Sequence, residues 1–112
     1  MTWPIAFALT QALEMPVYWW GTRTSELSVG KRLAAGFGAS ALTHPILWFV
    51  LYPVLIGPLG YWLFFVVGEA LVVVMETLYL RAFGVKRPGL LALAANAFSA
   101  GVGLALASLL TG

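Results

Sequence analysis

Four apolar stretches, roughly residues 3–20, 33–55, 59–80 and 88–111, take up most of this 112-residue chain. A helix needs about 20 apolar residues to cross a hydrocarbon core of ~30 Å, and each stretch is close to that length. Hydrocarbon offers no water to unpaired backbone groups, so a spanning segment must satisfy them internally, as a helix does. The spacing predicts an all-α integral membrane protein: a single transmembrane domain over 1–112, with four transmembrane helices in a compact bundle. Only 9% of the residues are charged, against about 25% in soluble domains, and no polar stretch is long enough to build a separate soluble domain. The net charge of +2 sits in short loops beside the apolar segments, so it points to the lipid bilayer as partner and not to nucleic acid.

The boundaries carry their own signals. Segment two is interrupted by His44-Pro45 and ends at Tyr52-Pro53. The uncharged turn over 56–60 joins it to segment three, which predicts an antiparallel helical hairpin. Segment four opens with Pro88, whose missing N–H costs nothing in a first helical turn. Segment one contains Pro4, Thr10, Gln11, Glu14 and Pro16, and no Lys or Arg precedes position 23. It lacks the basic start of a signal peptide and is expected to be a helix kinked near Pro16.

All six basic residues fall in two loops: Arg23, Lys31 and Arg32, then Arg81, Lys86 and Arg87. With four crossings these loops share a side, which the positive-inside rule makes cytoplasmic. The N-terminus, the C-terminus and the 56–60 turn are then outside, in a cell membrane of the bacterial inner type. Trp3, Trp48, Tyr52, Tyr61 and Trp62 are expected at the outer interface, and Tyr18, Trp19, Trp20 and Tyr79 at the inner one. Small-residue stripes at Ala97, Gly101 and Ala105, and at Ala34 and Gly38, invite close helix packing. They suit a homo-oligomer or a subunit of a larger membrane complex.

The chemistry is concentrated in four residues inside these stretches: Glu14, His44, Glu69 and Glu76. A carboxylate in hydrocarbon costs a few kcal/mol on insertion scales, so such residues face a bundle interior and are functional candidates by default. Glu26 lies in a polar loop, and there is no Asp. Counting ~1.5 Å per residue puts His44, Glu69 and Ser99 near the midplane, and Glu14, Glu76 and Asn96 nearer the basic loops. Glu69 and Glu76, seven apart, share a helix face. Asn96 and Ser99 share another, and Ser40, Thr43 and His44 cluster on a third.

Two accounts fit. His44 with Glu69, or Glu14 with Glu76 and Asn96, could bind a cation, and imidazole with carboxylate suits a divalent metal held by His44, Glu69 and Glu14. Alternatively Glu14, His44, Glu69 and Glu76 form a proton relay supported by Thr43, Asn96 and Ser99, as Glu and His chains do in pumps. Plainer readings compete. Glu76 could pair with Arg81, Lys86 or Arg87, His44 could bond a backbone carbonyl at the Pro45 kink, and Asn96 and Ser99 could be interhelical glue. With no cysteine, disulfides, thiolate metal sites and thiol nucleophiles are excluded. No Glu-x-x-His, His-Glu-x-x-His or Gly-x-Ser-x-Gly motif points to an enzyme. The expected function is cation binding for transport, in a pocket facing the basic loops. The alternative is an accessory subunit, and a weaker one is a metal-dependent intramembrane enzyme acting on a lipid.

Overall fold

The computed structural model describes residues 2–111, and its regular structure is all helical, with no strand among the described residues. Helix α1 spans Trp3–Gly21, α2 Val29–Ile46, a π-helical turn Leu47–Leu51, α3 Tyr52–Ala82 and α4 Pro88–Thr111. The ends follow local chemistry. Pro4 stands in the first turn of α1, where its fixed φ is already helical. Ser28 caps α2 by accepting the Lys31 N–H at 3.2 Å, satisfying one of the orphan donors of the first turn. At the end of α3, Gly84 takes φ 82° and the Val85 N–H reaches back to the Leu80 carbonyl at 3.2 Å. Val85 and Leu80 are then buried together, the apolar contact that accompanies this helix stop.

α2, the π-helical turn and α3 form one helical run that breaks at Gly60, where φ is 74° and ψ 174°. Contacts across the break show the chain turning back on itself. Tyr52 meets Phe64, Leu47 lies against Gly68, Thr43 bonds Glu76, and Tyr79 bonds the Ala34 carbonyl. One partner's number rises as the other's falls, which is an antiparallel hairpin. The hairpin is as expected, but its turn is tighter than the 56–60 loop read from the sequence. Helix continues through Pro58 to Leu59, and only Gly60, with no Cβ to clash at positive φ, leaves it. The interruption expected at His44-Pro45 also takes another form. Helix runs through Pro45, and from two residues later Leu47–Leu51 widens, with the Tyr52 N–H bonding the Leu47 carbonyl five residues back. Pro45 and Pro53 each lack an N–H, and the wider turn sits between them. α1 likewise runs unbroken through Pro16.

α1 packs against α2 and α4, and α3 against the same two, so α1 and α3 face each other across the centre. Two helical stretches are long and apolar enough to cross a membrane: Val29–Ala82, folded back at Gly60, and Pro88–Leu109. The buried residues are mostly small or polar, among them Ala35, Ala39, Ala92, Glu14, Thr43 and Glu76, while Ile5, Trp20, Phe49, Val66, Leu78 and Leu90 face outward. Both basic loops meet at one end, where Leu27 of the first and Val85 of the second pack on Tyr18, Leu80 and Leu91. There the Arg23 and Arg32 guanidinium groups lie over the Trp20 and Trp19 rings, each 3.7 Å from the centroid.

Candidate functional site

Glu76 on α3 is fully buried and accepts a hydrogen bond from each of the other three helices. Tyr18 Oη donates from α1, Thr43 Oγ1 from α2 at 2.6 Å, and Asn96 Nδ2 from α4 at 3.0 Å. Glu14 on α1, 2% exposed, accepts from Ser40 Oγ of α2 at 2.6 Å and from Ser99 Oγ of α4 at 2.5 Å. Helical spacing explains the pattern. Ser40 and Thr43 are three apart on α2, and Asn96 and Ser99 are three apart on α4, so each pair shares a face. One member of each pair serves Glu14 and the other Glu76.

This arrangement can hold either charge state of Glu76 without moving a heavy atom. Thr43 Oγ1 lies 2.6 Å from Glu76 Oε2 and 3.0 Å from the Ala39 carbonyl, and its single hydrogen can serve only one. With Glu76 ionised, the hydroxyl donates to the carboxylate. With Glu76 protonated, the acid donates to Thr43 Oγ1, which passes its own hydrogen to Ala39. Ser99 Oγ, 3.2 Å from the Asn96 carbonyl, offers the same rotation beside Glu14.

Two cavities meet at this centre. The smaller, about 100 Å³, is bordered by Glu14, Thr43, Glu69, Glu76, Asn96 and Ser99. The larger, about 640 Å³, has walls of Trp48, Tyr52, Tyr61, Phe64 and Phe65. Thr10, His44, Glu69 and Ser99 border both. Glu69 is half-buried and makes no hydrogen bond among the described residues. His44 is 8% exposed, with Nε2 3.2 Å from Thr10 Oγ1 and Nδ1 buried without a partner. Its ring stands among those of Trp3, Phe7 and Trp48, with centroids 5.6–6.1 Å away.

Glu14, His44, Glu69 and Glu76, with Thr43, Asn96 and Ser99, thus all come together around the smaller cavity. Some expected pairings differ. His44 shares the cavity with Glu69 but hydrogen-bonds Thr10, neither the carboxylate nor a backbone carbonyl. Glu76 is held by Tyr18, Thr43 and Asn96 and not by Arg81, Lys86 or Arg87. Among the described residues, no three of His, Asp and Glu are grouped to hold a metal ion. The opening is also reversed. Toward the basic loops the centre is sealed by Tyr18, Leu80, Ala35 and Ala92, because small side chains let the helices approach there. The wide cavity lies in the other half.

No protein-family model, curated protein or solved structure matches this chain. Function rests on the site itself. Tyr18 is the residue that the sequence reading misplaced: expected in the inner aromatic belt, it is fully buried against Glu76. Its signal was its position, one turn past Glu14 on the same face. Thr10, one turn before Glu14, carried the same signal.

Proposed function

We propose that this chain is a multi-pass membrane protein that binds a cation at its carboxylate centre and moves it across the bilayer. The observation that supports this is charge without countercharge. Glu14, Glu69 and Glu76 border one cavity, and among the described residues no Lys or Arg lines either cavity. An ionised carboxylate in so dry a place needs a proton or another cation. The donors around Glu14 and Glu76 accommodate either occupant by hydroxyl rotation. Transport is the use favoured by the asymmetry, since a site sealed at one end and hollow at the other resembles one state of an alternating-access cycle. The inside-out surface supports four crossings, and the gathering of both basic loops at one end supports a cytoplasmic end there, with the termini outside.

Reconstitution tests this reading. Proteoliposomes carrying the chain should dissipate an imposed proton gradient when an external cation is supplied, and Glu76→Gln should stop it while the protein still folds. Equal dissipation by Glu76→Gln would remove the centre from the function. Thr2→Cys and Lys31→Cys should label from opposite sides of the membrane, and labelling from one side would end the four-crossing arrangement.

A second reading, a subunit of a larger membrane assembly, is favoured by the α4 stripe. Ala97, Gly101 and Ala105 are exposed, and the space beside Gly101 is open. Gly101→Leu should then abolish a specific complex in mild detergent while leaving the monomer folded.

A further inference from the structure

We propose that the aromatic cavity binds a lipophilic organic cation, with Glu69 as the countercharge. This rests on the cation-binding reading above and names the substrate class for the same centre. At about 640 Å³, the cavity is within the ~300–1,000 Å³ range of sites for drug-sized molecules and far larger than a bare ion needs.

Its walls and its floor select different properties. Trp48, Tyr52, Tyr61, Phe64 and Phe65 make the walls. Tyr52 and Phe64 meet edge to face at 5.4 Å, and Tyr61 and Phe65 stack at 6.5 Å. Aromatic faces attract cations through the ring quadrupole, Trp most strongly. The floor carries Glu69, which differs from the other two acids in a telling way. Glu14 and Glu76 are occupied by hydroxyl and amide donors and do not border the wide cavity. Glu69 borders it and has no hydrogen-bond donor among the described residues. His44, buried beside it with Nδ1 unpartnered, adds a group able to meet a polar substituent.

Other occupants fit less well. A metal ion in the wide cavity would find His44 and Glu69 as the His and Glu residues among the described lining, set in mostly apolar walls. An anion would meet Glu69 with no Lys or Arg in the lining. A neutral acyl tail would leave the carboxylate uncompensated.

Tetraphenylphosphonium and tetraphenylborate, nearly equal in shape and opposite in charge, separate these cases in a calorimetric titration of the full chain in detergent. Tetraphenylphosphonium should bind and the borate should not. Glu69→Gln should weaken the phosphonium by about tenfold or more, the loss expected for a charged contact. Phe64→Ala should weaken it also, with circular dichroism and thermal melting confirming that both variants fold. Equal binding of the two ions, binding indifferent to Glu69→Gln, or no binding would each overturn the proposal. If tetraphenylphosphonium fails to bind while Glu76-dependent proton flux persists, this inference falls alone. If the flux is absent as well, the cation-binding reading falls with it.

Discussion

The half of the molecule near the basic loops and the half away from them are built from the same helices, yet one is closed and the other hollow. In the closed half, Ala35, Ala39, Ala92 and Ala95 let backbones approach, and Tyr18 and Leu80 fill the remainder. Its polar groups are joined in two clusters, Glu76 with Tyr18, Thr43 and Asn96, and Glu14 with Ser40 and Ser99. In the hollow half, Trp48, Tyr52, Tyr61, Phe64 and Phe65 line open space, and Glu69 has no donor among the described residues. The difference lies in side-chain size and in polar pairing. Glu14 and Glu76, satisfied among small residues, tie the helices together, whereas Glu69 beneath the aromatic walls makes no such tie among the described residues.

The contrast can be broken most sharply at Glu76. Glu76→Ala strands the buried Tyr18 hydroxyl and one Asn96 N–H, while Thr43 turns to the Ala39 carbonyl; each stranded donor costs about 1–3 kcal/mol, so thermal denaturation should show a loss of at least about 2 kcal/mol. Glu76→Gln should be nearly neutral, because its oxygen accepts from Tyr18 and Asn96 while its NH₂ donates to Thr43. A large loss in Glu76→Gln would mean that the ionised carboxylate itself holds the helices. Ala92→Leu overfills the closed half and should cost about 1–3 kcal/mol, with a shift in melting temperature as readout. Tyr18→Phe removes one donor from Glu76 and should cost about 1 kcal/mol; a cost far above that would assign the ring a role beyond its hydroxyl.

In the hollow half the signs change. Glu69→Gln should leave the fold intact or slightly stabilise it, since a buried charge is relieved. Destabilisation with function retained would make Glu69 structural glue. Gly103, which borders the wide cavity with open space at its Cβ position, should tolerate Ala and gain about 0.5 kcal/mol from helix propensity. A loss there would show that the space is not free.

Much of this was legible in the sequence because long apolar stretches, and the few charged residues in and between them, are strong signals. Apolar length marked the helices, the position of Lys and Arg gathered both loops at one end, and acids in apolar stretches marked the centre. Helical spacing put Thr43 with Ser40, and Asn96 with Ser99, on shared faces. What spacing could not give was rotation between helices. Tyr18 suits an interfacial belt by its type and its nearness to Arg23, and only the rotation of α1, set by its packing on α2 and α4, turns it across the centre onto Glu76. The direction of the cavity was hidden for a similar reason. Polar residues cluster toward the basic loops, which suggested water there, but their mutual hydrogen bonds close that end. The π-helical turn and the reversal at Gly60 depend on how backbone bonds rearrange around Pro45, Pro53 and Pro58, which proline positions alone do not specify.

The central claim, a carboxylate centre closed toward the basic loops and reached from the opposite half, has a direct test in cysteine accessibility. The chain has no native cysteine, so single replacements report cleanly. Gly103→Cys, on the wide cavity, and Ala95→Cys, in the sealed half, would each be exposed in proteoliposomes to a membrane-impermeant maleimide from either side. Position 103 should react from the side opposite the basic loops, and tetraphenylphosphonium should slow that reaction. Position 95 should react from neither side. Reaction at 95 from the basic-loop side, with 103 unreactive, would contradict the account.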